Sequence, residues 1–163
     1  MIRPVNPEDA KAIASIYNHF IENTTISFEE NPVTAAAIKQ RIAGVLNANL
    51  PWLVHESDGV LNGYAYATQW KDRSAYRFTA ESTVYVANDA AKTGIGSALY
   101  QELINQLREQ SFRSVIAVIA LPNEGSIRLH EKFGFVKSGE FKEIGYKFDR
   151  WINVASWQLI IGD

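Results

Sequence analysis

The chain has no cysteine, which excludes disulfides, thiol nucleophiles and zinc–thiolate sites. Histidine is sparse: His19, His55 and His130 are scattered without the spacing of a metal site, so no metal is expected. No apolar run approaches the ~20 residues of a membrane helix, and the opening MIRPVNPEDAK has no apolar core of a secretory leader. Neither sign of charge dominates, with a formal net of −2, so nothing invites a nucleic-acid or membrane partner. A cytoplasmic protein is the expectation. Internal repeats, low-complexity tracts and linkers are also missing. With 163 residues, 47% of them hydrophobic, the chain is expected to form one domain, 1–163, with a sizeable core.

The most informative stretch is Thr79–Glu109. Ala80–Val86 is rich in β-branched and aromatic residues and reads as a strand, with Glu81, Thr83 and Tyr85 on one face and Ser82, Val84 and Val86 on the other. After the polar or small residues Asn88–Thr93 the period changes. Ile95, Ala98, Leu99, Leu103 and Leu107 then share one side of a helix. That helix opens on Lys92-Thr93-Gly94-Ile95-Gly96-Ser97. Two readings stand for its glycines. They permit a tight strand-to-helix turn, or they expose the unpaired N–H groups of the helix start to a phosphate or pyrophosphate, with Lys92 adding positive charge.

Two familiar phosphate motifs are missing. The dinucleotide pattern GxGxxG needs a third glycine where Leu99 stands. A P-loop needs glycines ahead of Lys92-Thr93, but Val86 and Ala91 occupy those places. A different one-strand, one-helix cradle remains.

Elsewhere, Ile2–Val5 is a short strand, and Asn6-Pro7-Glu8-Asp9 opens a helix that buries Ala10, Ile13, Tyr17, Phe20 and Ile21. The loop Asn23–Asn31 carries Phe28 as a candidate pocket wall. Thr34 opens a second helix, which closes near Asn47–Asn49. Trp52–Glu56 and Val60–Thr68 flank the hairpin turn Ser57-Asp58-Gly59. Gln69–Phe78 then gathers Lys71, Arg73, Tyr76 and Arg77, either a solvated loop or a clamp for a substrate anion. Ser114–Ala120 is almost wholly apolar and suits a strand buried on both faces. Glu124–Phe133 is a short helix stopped by Gly134, and Glu140–Phe148 with Trp151–Ile161 forms a closing hairpin. The order β-α-α-β-β-β-α-β-α-β-β predicts an α/β fold: a central mixed sheet flanked by helices on both faces.

This order and these motifs resemble the GNAT superfamily of N-acetyltransferases over essentially the whole chain. The family's pattern Gln/Arg-x-x-Gly-x-Gly/Ala corresponds to Ala91-Lys92-Thr93-Gly94-Ile95-Gly96, with alanine in the first place. Within the superfamily the chain is most similar to the phosphinothricin acetyltransferases, which overlap the methionine sulfoximine/sulfone acetyltransferases. The matching stretches include Thr79–Val86, Thr93–Leu99, Ala117–Asn123, Ser126–Glu131 and Gly145-Tyr146-Lys147.

The resemblance implies that acetyl-CoA lays its pyrophosphate on Lys92–Ser97, with Val84, Tyr85 and Val86 offering backbone groups to the acetyl and pantetheine arm and Asn123 bonding that arm. It implies Glu81 as the general base that deprotonates an α-ammonium; a lone strand glutamate is otherwise a surface charge. His130 is implied as the acid for the departing thiolate, although a helix histidine is more often structural. Lys71, Arg73 and Arg77 would meet a carboxylate and a second oxygen group, and Phe28 and Tyr76 would wall the pocket. Alternatives are another amine, or a CoA-binding module without turnover. Relatives of this kind are typically homodimers.

Overall fold

The computed structural model, which describes residues 1–162, turns the expected alternation into a seven-stranded mixed sheet. Its strands are β1 (Ile2–Pro4), β2 (Trp52–Ser57), β3 (Val60–Gln69), β4 (Thr79–Val86), β5 (Ser114–Ala120), β6 (Val136–Lys147) and β7 (Arg150–Ile160). The helices are α1 (Ala10–Asn23), α2 (Ala35–Asn47), α3 (Ile95–Glu109) and α4 (Glu124–Lys132). The spatial order is β1-β2-β3-β4-β5-β7-β6, and only β4 and β5 run parallel. The β2–β3 turn places Asp58 at φ 53° and Gly59 at φ 76°, the left-handed pair that a two-residue hairpin needs.

Strand alternation sorts the core into two layers. Leu53, Ala65 and Ala67 point to one face, where they pack with Leu99, Leu103 and Leu107 of α3. Trp52, Val54 and Tyr64 point to the other and meet Ile13 of α1 and Ile38 and Ile42 of α2. Helices therefore cover both faces. Aromatic rings continue the second layer toward β4: Trp52 stacks on Tyr66 at 4.1 Å, and Tyr64 lies 5.7 Å from Tyr85. Gly63 allows α3 to close on the first layer, because a Cβ there would lie 3.2 Å from both Ile95 and Leu99 side-chain carbons.

The structure departs from the sequence expectations at three points. Pro7–Asp9 is a single 3-10 turn, and α1 starts only at Ala10. The closing hairpin begins at Val136 rather than Glu140, since β6 is an edge strand whose exposed residues show no alternation. Finally, β5 is not buried on both faces: Val118 is 43% exposed, because β4 leaves it beyond the first few residues.

Candidate active site

The cleft begins where a pairing ends. β4 runs antiparallel to β3 along nearly its whole length, from Ala80↔Gln69 to Val86↔Gly63. Against β5 it is paired only at Thr79↔Ser114, Ala80↔Val115 and Glu81↔Ile116. Beyond Glu81 the two parallel strands part, and backbone groups that would have bonded across them are left for a ligand. A cavity of about 270 Å³ fills the gap. Its walls are Glu81 to Val86 on one side and Ala117 to Ala120 with Asn123, Ser126, Leu129 and His130 on the other. Phe20 and Ile26 close the third side.

The cleft leads to the start of α3. Gly94 takes φ 87° as the residue before the helix. The amides of Gly94, Ile95, Gly96 and Ser97 find no acceptor among the described residues, as expected at a helix start. Gly96 sits beside two residues of the cleft wall: a Cβ there would lie 3.5 Å from Val86 and 3.6 Å from Leu129. Lys92 and Thr93 are exposed at the same mouth, and the Thr93 hydroxyl donates to Ala90 O at 2.6 Å. Lys132 on α4 donates to Ser97 Oγ at 3.2 Å and brings a second cation to this helix start. An oxyanion here meets bare N–H groups, the positive end of the helix and two ammonium groups.

Glu81 is half-buried at the last β4–β5 pair, and its carboxylate has no hydrogen bond or ion pair to any described residue. Burial pushes its carboxyl above the ordinary glutamate value, and the positive charge of Lys71 pulls the other way. An unpaired carboxylate raised toward neutrality suits proton abstraction.

His130 is buried, and both ring nitrogens are engaged. Nδ1 lies 2.7 Å from Ser126 O, which can only accept, so in the neutral ring the proton sits on Nδ1. Nε2 then accepts from the Tyr100 hydroxyl at 2.7 Å, and Tyr100 Oη in turn accepts from Ser82. Burial lowers the His130 pKa and keeps the ring neutral. Asn123, a residue of the cleft wall, caps α4: its Oδ1 accepts from Ser126 N at 3.2 Å.

Val84, Tyr85, Val86, Asn123, His130 and Glu81 all border the cleft, but the expected acceptor residues stand outside its wall. Arg73, Tyr76 and Arg77 are exposed in the β3–β4 loop, at the end of the hairpin where Thr68 pairs with Glu81. The Arg77 guanidinium donates to Ser74 O at 3.0 Å and rests 4.5 Å from the Phe78 ring centre. Lys71 lies 4.8 Å over Trp70. Phe28 is 43% exposed and packs on Gly145. Sequence reasoning missed Phe20, Ile26, Tyr100 and Lys132. Phe20 reads as core in the α1 stripe, and Ile26 is the one aliphatic side chain in a polar loop, the only signal available.

No group of three or more His, Cys, Asp or Glu side chains among the described residues is arranged to hold a metal ion. No described helix is long and apolar enough to cross a membrane.

Comparison with known proteins bears on the fold and the family. Residues 2–155 match the family described as acetyltransferase (GNAT) domain. A phosphinothricin N-acetyltransferase of Streptomyces viridochromogenes is 43% identical over 157 residues, 96% of this chain and 85% of that one. An L-methionine sulfoximine/L-methionine sulfone acetyltransferase of Pseudomonas paraeruginosa is 35% identical, over 97% of this chain and 92% of its own. A solved phosphinothricin acetyltransferase of Sinorhizobium meliloti, in complex with acetyl-CoA, superposes with a TM-score of 0.96 at 34% identity, covering 99% of this chain and 88% of that one. The splayed central strand, the bare helix start and a family match over nearly the full length lead to one conclusion: the chain is an N-acetyltransferase of the GNAT family.

Proposed function

We propose that the protein transfers the acetyl group of acetyl-CoA to the α-amine of a small glutamate- or methionine-like amino acid. Phosphinothricin, methionine sulfoximine and methionine sulfone are the acceptor types. The observation that carries this reading is the unpaired, half-buried Glu81 carboxylate at the point where β4 and β5 part. Acetyl-CoA would run from the α3 start, with its pyrophosphate on Gly94–Ser97 between Lys92 and Lys132, along Val84–Val86 to the thioester beside Glu81. The complex of the S. meliloti relative with acetyl-CoA supports the cosubstrate.

An α-ammonium cannot attack until it loses a proton, which Glu81 takes directly or through a water. The amine nitrogen then bonds the thioester carbon, and the oxyanion is met by N–H groups freed on β4. Collapse breaks the C–S bond, and the departing thiolate takes its proton from solvent, because the neutral His130 ring keeps its one proton on the bond to Ser126 O and its Nε2 accepts from Tyr100. No metal enters these steps.

Arg73, with Lys71 and Arg77, would hold the acceptor carboxylate and its second oxygen group, and Tyr76 and Phe28 would flank the side chain. Arg73→Ala is expected to raise the acceptor KM about 10–100-fold with the acetyl-CoA KM little changed, because a lost bidentate pair is worth about 1.5–3 kcal/mol. Steady-state kinetics with phosphinothricin decide this, and equal effects on both KM values would remove Arg73 from the acceptor site.

A two-fold dimer is supported by the apolar side chains that β6 and β7 expose, with Phe141 and Trp151 each 64% exposed. Light scattering should give twice the 18.3 kDa chain mass, and a monomer mass would overturn the dimer. Acetyl-CoA is a cytoplasmic metabolite, which supports a cytoplasmic enzyme.

A further inference from the structure

Lys147 is the one lysine buried among the described residues, 2% exposed on the edge strand β6. A buried ammonium is costly unless its protons are met. No described carboxylate pairs with this one. Two carbonyls meet it instead: Nζ donates to Ile21 O and to Ser27 O, each at 2.7 Å. Ile21 lies in the last turn of α1, where carbonyls have no partner inside the helix. Ser27 lies in the loop between α1 and α2, which contributes Ile26 to the wall of the cleft that Glu81 also lines.

Asn18 of α1 holds both backbone groups of Val33 at the far end of the loop. Around Ile26 the other backbone ties are short-range, with Ile26 N on Thr24 Oγ1 and Glu29 N on Ser27 Oγ. Fixed partners surround it. Arg150 reaches Thr25 Oγ1 at 3.0 Å, the Tyr17 and Ser27 hydroxyls lie 2.9 Å apart, and Arg41 grips Glu29 through two bonds of 2.9 and 2.6 Å. Two residues before Lys147, Gly145 leaves room for the Phe28 ring: a Cβ there would lie 2.4 Å from two of its carbons. The β6–β7 hairpin thus receives the loop through a cation and through a missing side chain.

We propose that Lys147 is a positioning residue for the acceptor, clamping the end of α1 to the loop so that the Ile26 wall stands at a fixed distance from Glu81. The effect on the reaction rests on the acceptor site proposed above; the clamp itself does not. A methionine would fill the same space without ordering the two carbonyls, and a wall displaced by about 1 Å costs up to about 100-fold in reactivity.

The test uses Lys147→Met and Gly145→Ala in the full chain. Gly145→Ala displaces the Phe28 ring and keeps the ammonium clamp. In Lys147→Met, hydrogen exchange of the amides of residues 25–29 should speed up about 10-fold or more, with the α3 amides unchanged. The phosphinothricin KM should rise about 10–100-fold, with the acetyl-CoA KM within about twofold. Gly145→Ala should raise the phosphinothricin KM through Phe28 alone, and if Lys147→Met does not fold, Lys147→Gln, too short to reach both carbonyls, decides the matter by the same loop exchange and KM readouts. A purely structural lysine would lower the melting temperature and the active fraction but leave loop exchange and both KM values at wild type, and that result overturns the proposal. If wild-type protein does not acetylate phosphinothricin, the functional reading fails, and loop exchange still decides whether Lys147 holds the loop.

Discussion

Glu81→Gln is expected to lower kcat about 10²–10⁴-fold, the usual contribution of a positioned general base. The change keeps the shape of the side chain at the last β4–β5 pair and removes only its capacity to take a proton. Acetyl-CoA affinity should barely move, because most of the cosubstrate's contacts are expected on Val84–Val86 and the α3 start, and only its thioester end reaches this carboxyl. The pH profile supplies an independent readout. The base works ionised, so kcat/KM should fall as pH drops through the Glu81 pKa. Burial raises that pKa, which puts the acid limb above the ordinary glutamate value of about 4.3. Lys71 opposes the rise, so Lys71→Ala should carry the limb further toward neutral pH. Near-wild-type turnover in Glu81→Gln, or a limb that stays in place when Lys71 is removed, would take Glu81 out of the base role.

The second large effect concerns stability. Leu103 is fully buried in the layer between α3 and the sheet, among Leu99, Leu107, Ala65 and Ala80. Leu103→Ala should cost about 2–5 kcal/mol, the sum of lost transfer energy and an unfilled cavity. For a chain of this size, that lowers Tm by about 4–20 °C. Val118→Ala removes apolar carbon from β5, but at a site 43% exposed toward the cleft. It should stay within about 0.5 kcal/mol of wild type. Calorimetry on the two variants separates the packed face of the sheet from the open one, and equal losses would contradict a cleft between β4 and β5.

These contrasts mark how far the sequence could be read. Period-2 and period-3.6 patterns placed α3, β4 and β5 within a residue or two, because each element buries a regular face that its own residues announce. The helix start at Gly94 was legible for the same local reason. The parting of β4 from β5 was not: Val118 looks like any core valine, and its exposure depends on where a neighbouring strand stops pairing. Tyr100 is similar. Its phenol sits in the buried stripe of α3, and its bonds to Ser82 and His130 span 18 and 30 residues of chain. Nothing in the residues around Lys147 marks it as buried, and its partners stand 126 and 120 residues away. Local chemistry marked the start of α3 as an anion site, and the family resemblance supplied the rest of the cosubstrate's expected path. Long-range packing determines which groups face the reacting atoms.

The most direct test of the account is a thiol-release assay with acetyl-CoA against phosphinothricin, methionine sulfoximine, methionine sulfone, glutamate, spermidine and a short peptide. Turnover confined to the three analogues, and abolished in Glu81→Gln, is the predicted result. Turnover on spermidine or the peptide alone would contradict the proposed acceptor site, and silence across the panel with acetyl-CoA still bound would contradict the proposed reaction.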